Sequence, residues 1–187
     1  MSSSIAQRIT GTLRSSWDPR VARLPLGAHA SLARAIDVPS VSAFAALTGD
    51  DNPLHLDEAY AAATPYGRCI SHGILYASLI PSIFGATIPG CVYVSQKLNF
   101  RKPVFVGDYV IATIKVERAR IVSGSRQLVT CTTSVSRYLD GGKAAREKGG
   151  NGPQPLDSAD DSLELCLDGE AITLLPAPEG GAQPPLL

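Results

Sequence analysis

The stretch TGDDNPLHLDEAY, Thr48 to Tyr60, packs four acids, an Asn, a Pro and a His into thirteen residues. Asp50 and His55 are the pair with chemistry to offer. A carboxylate and an imidazole aimed at one water can orient it and exchange its protons. Each also has a plainer use taken singly: Asp50 and Asp51 suit turn or capping positions, and a lone histidine is more often a satisfied surface or core residue. The two acids are adjacent, so either could be the working carboxylate. Asn52 and Pro53 suit a fixed loop between them, Pro by locking its own φ and Asn by hydrogen-bonding nearby backbone.

The elements that must position this loop are legible around it. The apolar run VSAFAAL leads in, with Ser40 as its expected cap, and a short helix from about Asp57 to Ala63 leads out. SHGILYASLIPSIFGA, Ser71 to Ala86, reads as a helix that is apolar nearly all round, which a chain of this size satisfies by burying it centrally. Pro81 removes the hydrogen bond to the carbonyl of Ala77 and should bend that helix. Strands are expected at HASLARAI, VYVSQKLNF (92–100), YVIATIKVERARI (109–121), RQLVTCTTSVSRY (126–138) and EAITLLP (170–176). In the third, Val110, Ala112, Ile114 and Val116 share one face, which predicts a sheet buried on the helix. VSGSR makes the hairpin turn between the third and fourth. Cys91 and Cys131 are expected in strands as small core residues.

Composition narrows the classes of function. The 187 residues, 44% hydrophobic, suffice for one domain with a core. Lys plus Arg balances Asp plus Glu at 17 each, and no basic cluster interleaves with aromatics, so nucleic-acid binding is not expected. No apolar run approaches the length of a membrane-spanning helix. Cys69, Cys91, Cys131 and Cys166 include no C-x-x-C pair, which suits neither zinc nor a disulfide framework and points to a reducing compartment.

Two segments depart from the rest. From Met1 to Ala35 there are five Arg, no Lys and a single acid, Asp18, with frequent Ser and Thr. That is the composition of an organelle transit peptide, and residues 1–22 are assigned to it, with the folded domain beginning at Arg23. The plainer alternative is a frayed, weakly basic terminus. Residues 140–167 are rich in Gly, Pro, Asp, Ser and Lys and keep no period, which predicts a disordered insert. Its basic front and acidic rear could dock a partner, though a solvated loop explains them as well. A single domain thus spans 23–139 and 168–178, and 179–187 form a flexible tail.

A buried helix wrapped by an antiparallel sheet is the α+β hot-dog architecture. GDDNPLH (Gly49–His55), the following His72-Gly73 pair and FRKPVFVGD (Phe100–Asp108) together resemble the MaoC-like (R)-specific enoyl-thioester hydratases, most of all the mitochondrial hydroxyacyl-thioester dehydratase type 2 branch. The resemblance covers about Leu24 to Leu139 and resumes at Asp168. It implies reversible hydration of trans-2-enoyl thioesters to (R)-3-hydroxyacyl thioesters in mitochondrial fatty acid synthesis, with Asp50 and His55 as catalytic residues and the Gly73 N–H on the thioester oxygen. Asp51 falls at the family's variable position. Gly49, Asn52, Pro53 and His72 support the motif. No cofactor and no metal are implied; the partners are an acyl-CoA or acyl-carrier-protein thioester and a second copy of the chain, in the mitochondrial matrix.

Two other functions fit a hot-dog fold. A thioesterase usually needs an acid on or beside the central helix, and GILYASLIPSIF has none. A non-catalytic acyl-binding subunit of a mitochondrial assembly would have no use for Asp50 and His55, although function resides in sites and not in the fold.

Overall fold

The computed structural model describes residues 12–17, 23–141 and 161–177. Its elements, in chain order, are β1 (Thr12–Ser15), β2 (His29–Ala35), α1 (Val38–Thr48), α2 (Pro53–Leu56), α3 (Glu58–Ala62), α4 (Gly73–Ala77), α5 (Leu79–Thr87), β3 (Val92–Phe100), β4 (Tyr109–Ile121), β5 (Gln127–Tyr138) and β6 (Leu163–Leu175). The strands form one antiparallel sheet in the order β1-β2-β4-β5-β6-β3, with α5 packed on β2 and β4. This is the expected α+β arrangement of a sheet around a central helix. No described helix is long and apolar enough to cross a membrane.

The central helix is two pieces. Pro81 has no N–H to give the Ala77 carbonyl, and the helix breaks at Ser78 between α4 and α5. Its buried face carries Tyr76, Leu79, Ile80, Ile83 and Phe84, while Ile74, Ser78 and Ser82 remain exposed, so it is covered on one side only. Against it stand Val110, Ala112, Ile114 and Val116 of β4, the face predicted by alternation, and Val129, Cys131 and Val135 of β5. Each large apolar side chain buried here contributes roughly 1.5–3 kcal/mol. On the outer face of the sheet Ala33, Ile111 and Tyr138 form a second, small cluster.

Four expectations are revised. The α1 cap is Asp37, whose carboxylate accepts from the Ser40 N–H at 3.0 Å; the extended backbone of Asp37 and Pro39 in the first turn place the start three residues earlier than a Ser40 cap. Thr12–Ser15 pair with β2 as an edge strand and Trp17 is buried in the core, so the domain does not begin at Arg23. Residues 163–167, assigned to the insert, are the first half of β6: Leu167 pairs with Val135, and the Glu164 carboxylate is met by Arg137 at 2.7 Å, which makes an acid compatible with the strand. Cys91 lies just ahead of β3, whereas Cys131 is in β5 as expected, and burial pushes its thiol up to about 12. Residues 1–11, 18–22, 142–160 and 178–187 lie outside the described residues, and with them most of the transit-peptide, insert and tail assignments.

Gly169 is demanded by packing. A Cβ there would overlap the backbone carbonyl of Lys97 where β3 and β6 pair.

Candidate active site

α1 ends at Gly49, whose φ of 76° is open to glycine and turns the chain away from the helix axis. Asp50 and Asp51 follow in the turn. Asn52 then caps α2 by accepting from the Leu54 N–H at 3.0 Å, with Pro53 at the first helical position. Asn52 and Pro53 therefore hold the loop as their residue types predict. Asp57 starts α3 by accepting from the Ala59 and Tyr60 N–H groups, both at 2.9 Å.

This compact turn sets His55 15 residues in sequence from the strand-like segment that orients it. The His55 Nδ1 is 2.8 Å from the Ile70 carbonyl, an oxygen that can only accept, so Nδ1 carries the proton and Nε2 is the open lone pair of the neutral ring. Nε2 lies 3.9 Å from Asp50 Oδ2. That is too long for a direct hydrogen bond and short enough for one water to reach both at about 2.8 Å. Asp51 makes no side-chain hydrogen bond or ion pair among the described residues. The structure thus brings Asp50, and not Asp51, to the histidines.

Ile70 is itself held. It bridges Phe105, the Ser71 N–H donates to Val104 O at 2.7 Å and the Val106 N–H to Cys69 O at 3.0 Å. The turn at 105–108 is anchored by buried Asp108, whose carboxylate accepts from Arg68 (3.1 Å), Arg137 (3.2 Å) and the Phe105 N–H (3.0 Å). Arg68 also lies over the Phe105 ring at 4.1 Å.

His55 and Gly73 line a cavity of about 470 Å³ whose other walls include Ile74, Tyr76, Phe100 and Lys102. Asp50 is not in its wall; its carboxylate lies 3.9 Å from Nε2 of His55, which is. Burial pushes the Tyr76 hydroxyl up to about 12, so it serves as a neutral wall. Gly73 opens α4, where its N–H has no carbonyl within the helix to bond. A Cβ on Gly73 would sit 2.7 Å from Phe100 Cε1, so any larger residue there must push the ring aside. A larger hollow of about 590 Å³, beside Phe44, Leu47, Leu75 and Leu79, contains neither Asp50 nor His55.

Asp50, His55 and His72 place their ligand atoms within 4.8 Å of one another, which raises the question of a metal. The donor set fits poorly. His72 Nε2 is 2.9 Å from the Asp50 carbonyl and gives its hydrogen there, which leaves that nitrogen no lone pair for a metal, and the two imidazoles lie against each other with centroids 3.8 Å apart and planes tilted by 34°.

Residues 27–138 match the MaoC like domain. The chain belongs to the MaoC-like family. Among its relatives, 3-hydroxybutyryl-CoA dehydratase of Methylorubrum extorquens is 37% identical over 159 residues, 83% of each chain. The mitochondrial 3-hydroxyacyl-[acyl-carrier-protein] dehydratase FERN of Solanum lycopersicum is 32% identical over 82% of this chain and 79% of that one. The solved structure of the (R)-hydratase from A. caviae involved in PHA biosynthesis superimposes with a TM-score of 0.65 and 36% identity, over 83% of this chain and all of that one. The hot-dog fold of these MaoC-like proteins is therefore the fold of this chain.

Sequence reasoning assigned no role to the Ile70 carbonyl, Tyr76, Phe100 or Lys102. Phe100 and Lys102 lie in FRKPVFVGD, and that motif is the signal that points to them. A backbone carbonyl leaves no trace in residue identity.

Proposed function

We propose that this MaoC-like chain is a hydro-lyase that interconverts trans-2-enoyl and (R)-3-hydroxyacyl thioesters, working in the cell mainly as a dehydratase on acyl carrier protein. The observation that carries this reading is the His55 Nε2 lone pair facing the Asp50 carboxylate at 3.9 Å beside the cavity. In hydration, one water gives a hydrogen bond to each. Its oxygen adds to the β-carbon as one proton passes to His55 Nε2, and the electron pair of the double bond moves toward the thioester oxygen. The Gly73 N–H stabilises the negative charge that develops there. The imidazolium, held by the Asp50 charge, then returns a proton to the α-carbon, so the enzyme ends as it began. Dehydration is the same path reversed.

Because Asp50 and His55 come from one loop, water and proton reach one face of the substrate, which fixes a single stereoisomer. Turnover of a short trans-2-enoyl-CoA, with chiral analysis of the product, tests the reading. An (S)-product, or no turnover of either the CoA or the acyl-carrier-protein thioester, would overturn it.

The proposal extends to a homodimer and to the mitochondrial matrix. Sheet edges at β1 and β3, with Val92 and Val94 exposed on the latter, favour a second copy, and a monomer by light scattering at micromolar concentration would count against it. For the address, the support is the Arg-rich leader and the mitochondrial relative in tomato. Processing that preserves β1 must cut ahead of Thr12. A reporter carrying Met1 to Arg34 should enter mitochondria; a purely cytosolic signal would retire the address.

A further inference from the structure

His72 is 3% exposed and stands immediately before α4, yet its side chain makes no capping bond to that helix. It turns instead toward the loop. Its Nε2 lies 2.9 Å from the Asp50 carbonyl, and a carbonyl only accepts, so this nitrogen carries the hydrogen. The same nitrogen is 3.8 Å from Asp50 Oδ2. The ring lies against the His55 imidazole with centroids 3.8 Å apart, and Phe44 meets it at 5.1 Å. Its Nδ1 is buried without a partner among the described residues. A residue retained for packing alone would do better as Phe or Leu, because an unpaired buried acceptor costs free energy.

We infer that His72 is a positioning residue: through one N–H···O bond to the Asp50 backbone and one tilted ring contact with His55, it sets the distance between the carboxylate and the reacting nitrogen while delivering the chain to Gly73. This rests on the hydro-lyase reading above. Asp50 needs such a support because its side chain is 53% exposed and sits in a turn, where the backbone bonds of the loop alone leave its carboxylate free to swing. Without the anchor the substrate still enters the cavity, but the carboxylate spends less time within reach of the water that His55 deprotonates. The consequence is a loss in turnover and not in binding.

Two variants separate the contacts. His72→Phe keeps a ring of similar size against His55 and removes the donor; His72→Gln places an amide N–H near the position of Nε2 and removes the ring. His72→Phe should lower kcat on the order of tenfold or more with KM within about threefold, and His72→Gln should recover part of that loss. In a double-mutant cycle, His72→Phe should cost little further in the Asp50→Asn background, because the group it positions is already disabled. Parent turnover is measured first, so an inactive parent sinks the hydro-lyase reading and an active one leaves it standing whatever His72 does. Should His72→Phe fail to fold, His72→Gln and His72→Asn carry the cycle; the shorter Asn cannot reach the Asp50 carbonyl and should resemble a lost donor. Parent-like kcat in the donor-less variant, a change confined to KM, or full additivity with Asp50→Asn would overturn the assignment.

Discussion

The His55 Nδ1–H donates to the Ile70 carbonyl at 2.8 Å, and this one bond decides which nitrogen faces Asp50. Ile70 belongs to a segment bonded to residues 104–106, and that turn is pinned by Asp108 between Arg68 and Arg137. The reacting nitrogen is thus oriented by residues far from it in sequence.

Asp50→Asn keeps the shape of the loop and removes the negative charge, and should lower turnover on the order of a hundredfold or more; His55→Ala should do likewise. Asp51→Asn should be much milder, since Asp51 touches neither histidine. All three should remain folded by circular dichroism and thermal melting, because charged loop residues contribute little to the core. An Asp50→Asn variant as active as the parent would refute the assignment.

Gly73→Ala introduces a Cβ that meets Phe100 at 2.7 Å, and Phe100 is half exposed and able to turn aside. The expected outcome is a folded protein whose cavity is reshaped, with kcat/KM reduced on the order of tenfold or more. Gly73→Ala combined with Phe100→Ala relieves the contact. If the pair recovers no activity, the glycine is needed at the substrate itself and not for the ring.

Asp108→Ala removes a carboxylate that holds two guanidinium groups and a backbone N–H, leaving Arg137, itself only 18% exposed, with Glu164 alone. Stability by urea unfolding should fall by about 2–3 kcal/mol. A loss near zero would show that Glu164 and solvent compensate fully.

Asp37 tests the cap of α1 through pH. Its hydrogen bond with Ser40 holds the Asp37 carboxyl below its ordinary value of 3.8. A depressed folded value means that the contribution to stability is complete above the unfolded pKa and is lost as pH falls through the folded one. Asp37→Ala should therefore cost about 1 kcal/mol at pH 7, and the difference between parent and variant should shrink toward acid, below the usual carboxylate range. A difference that stays constant with pH would assign the effect to something other than the charged cap.

Sequence by itself determined the elements whose residues repeat: β4 alternates Val110, Ala112, Ile114 and Val116 onto the helix because burial on one face imposes a period of two. It also marked Asp50, His55 and the break at Pro81, because a motif loop and a missing N–H are properties of residue type. It misplaced what depends on partners. Acids hid β6 from Leu163 to Leu167, since only Arg137 across the sheet makes Glu164 acceptable there, and β1 has no meaning until β2 lies beside it. The adjacent acids Asp50 and Asp51 were equal as residue types and are distinguished only by which one the turn carries toward His55 and His72. The tautomer of His55 lay further still from the sequence, because a backbone carbonyl is common to every residue and only the tertiary structure says whose it is.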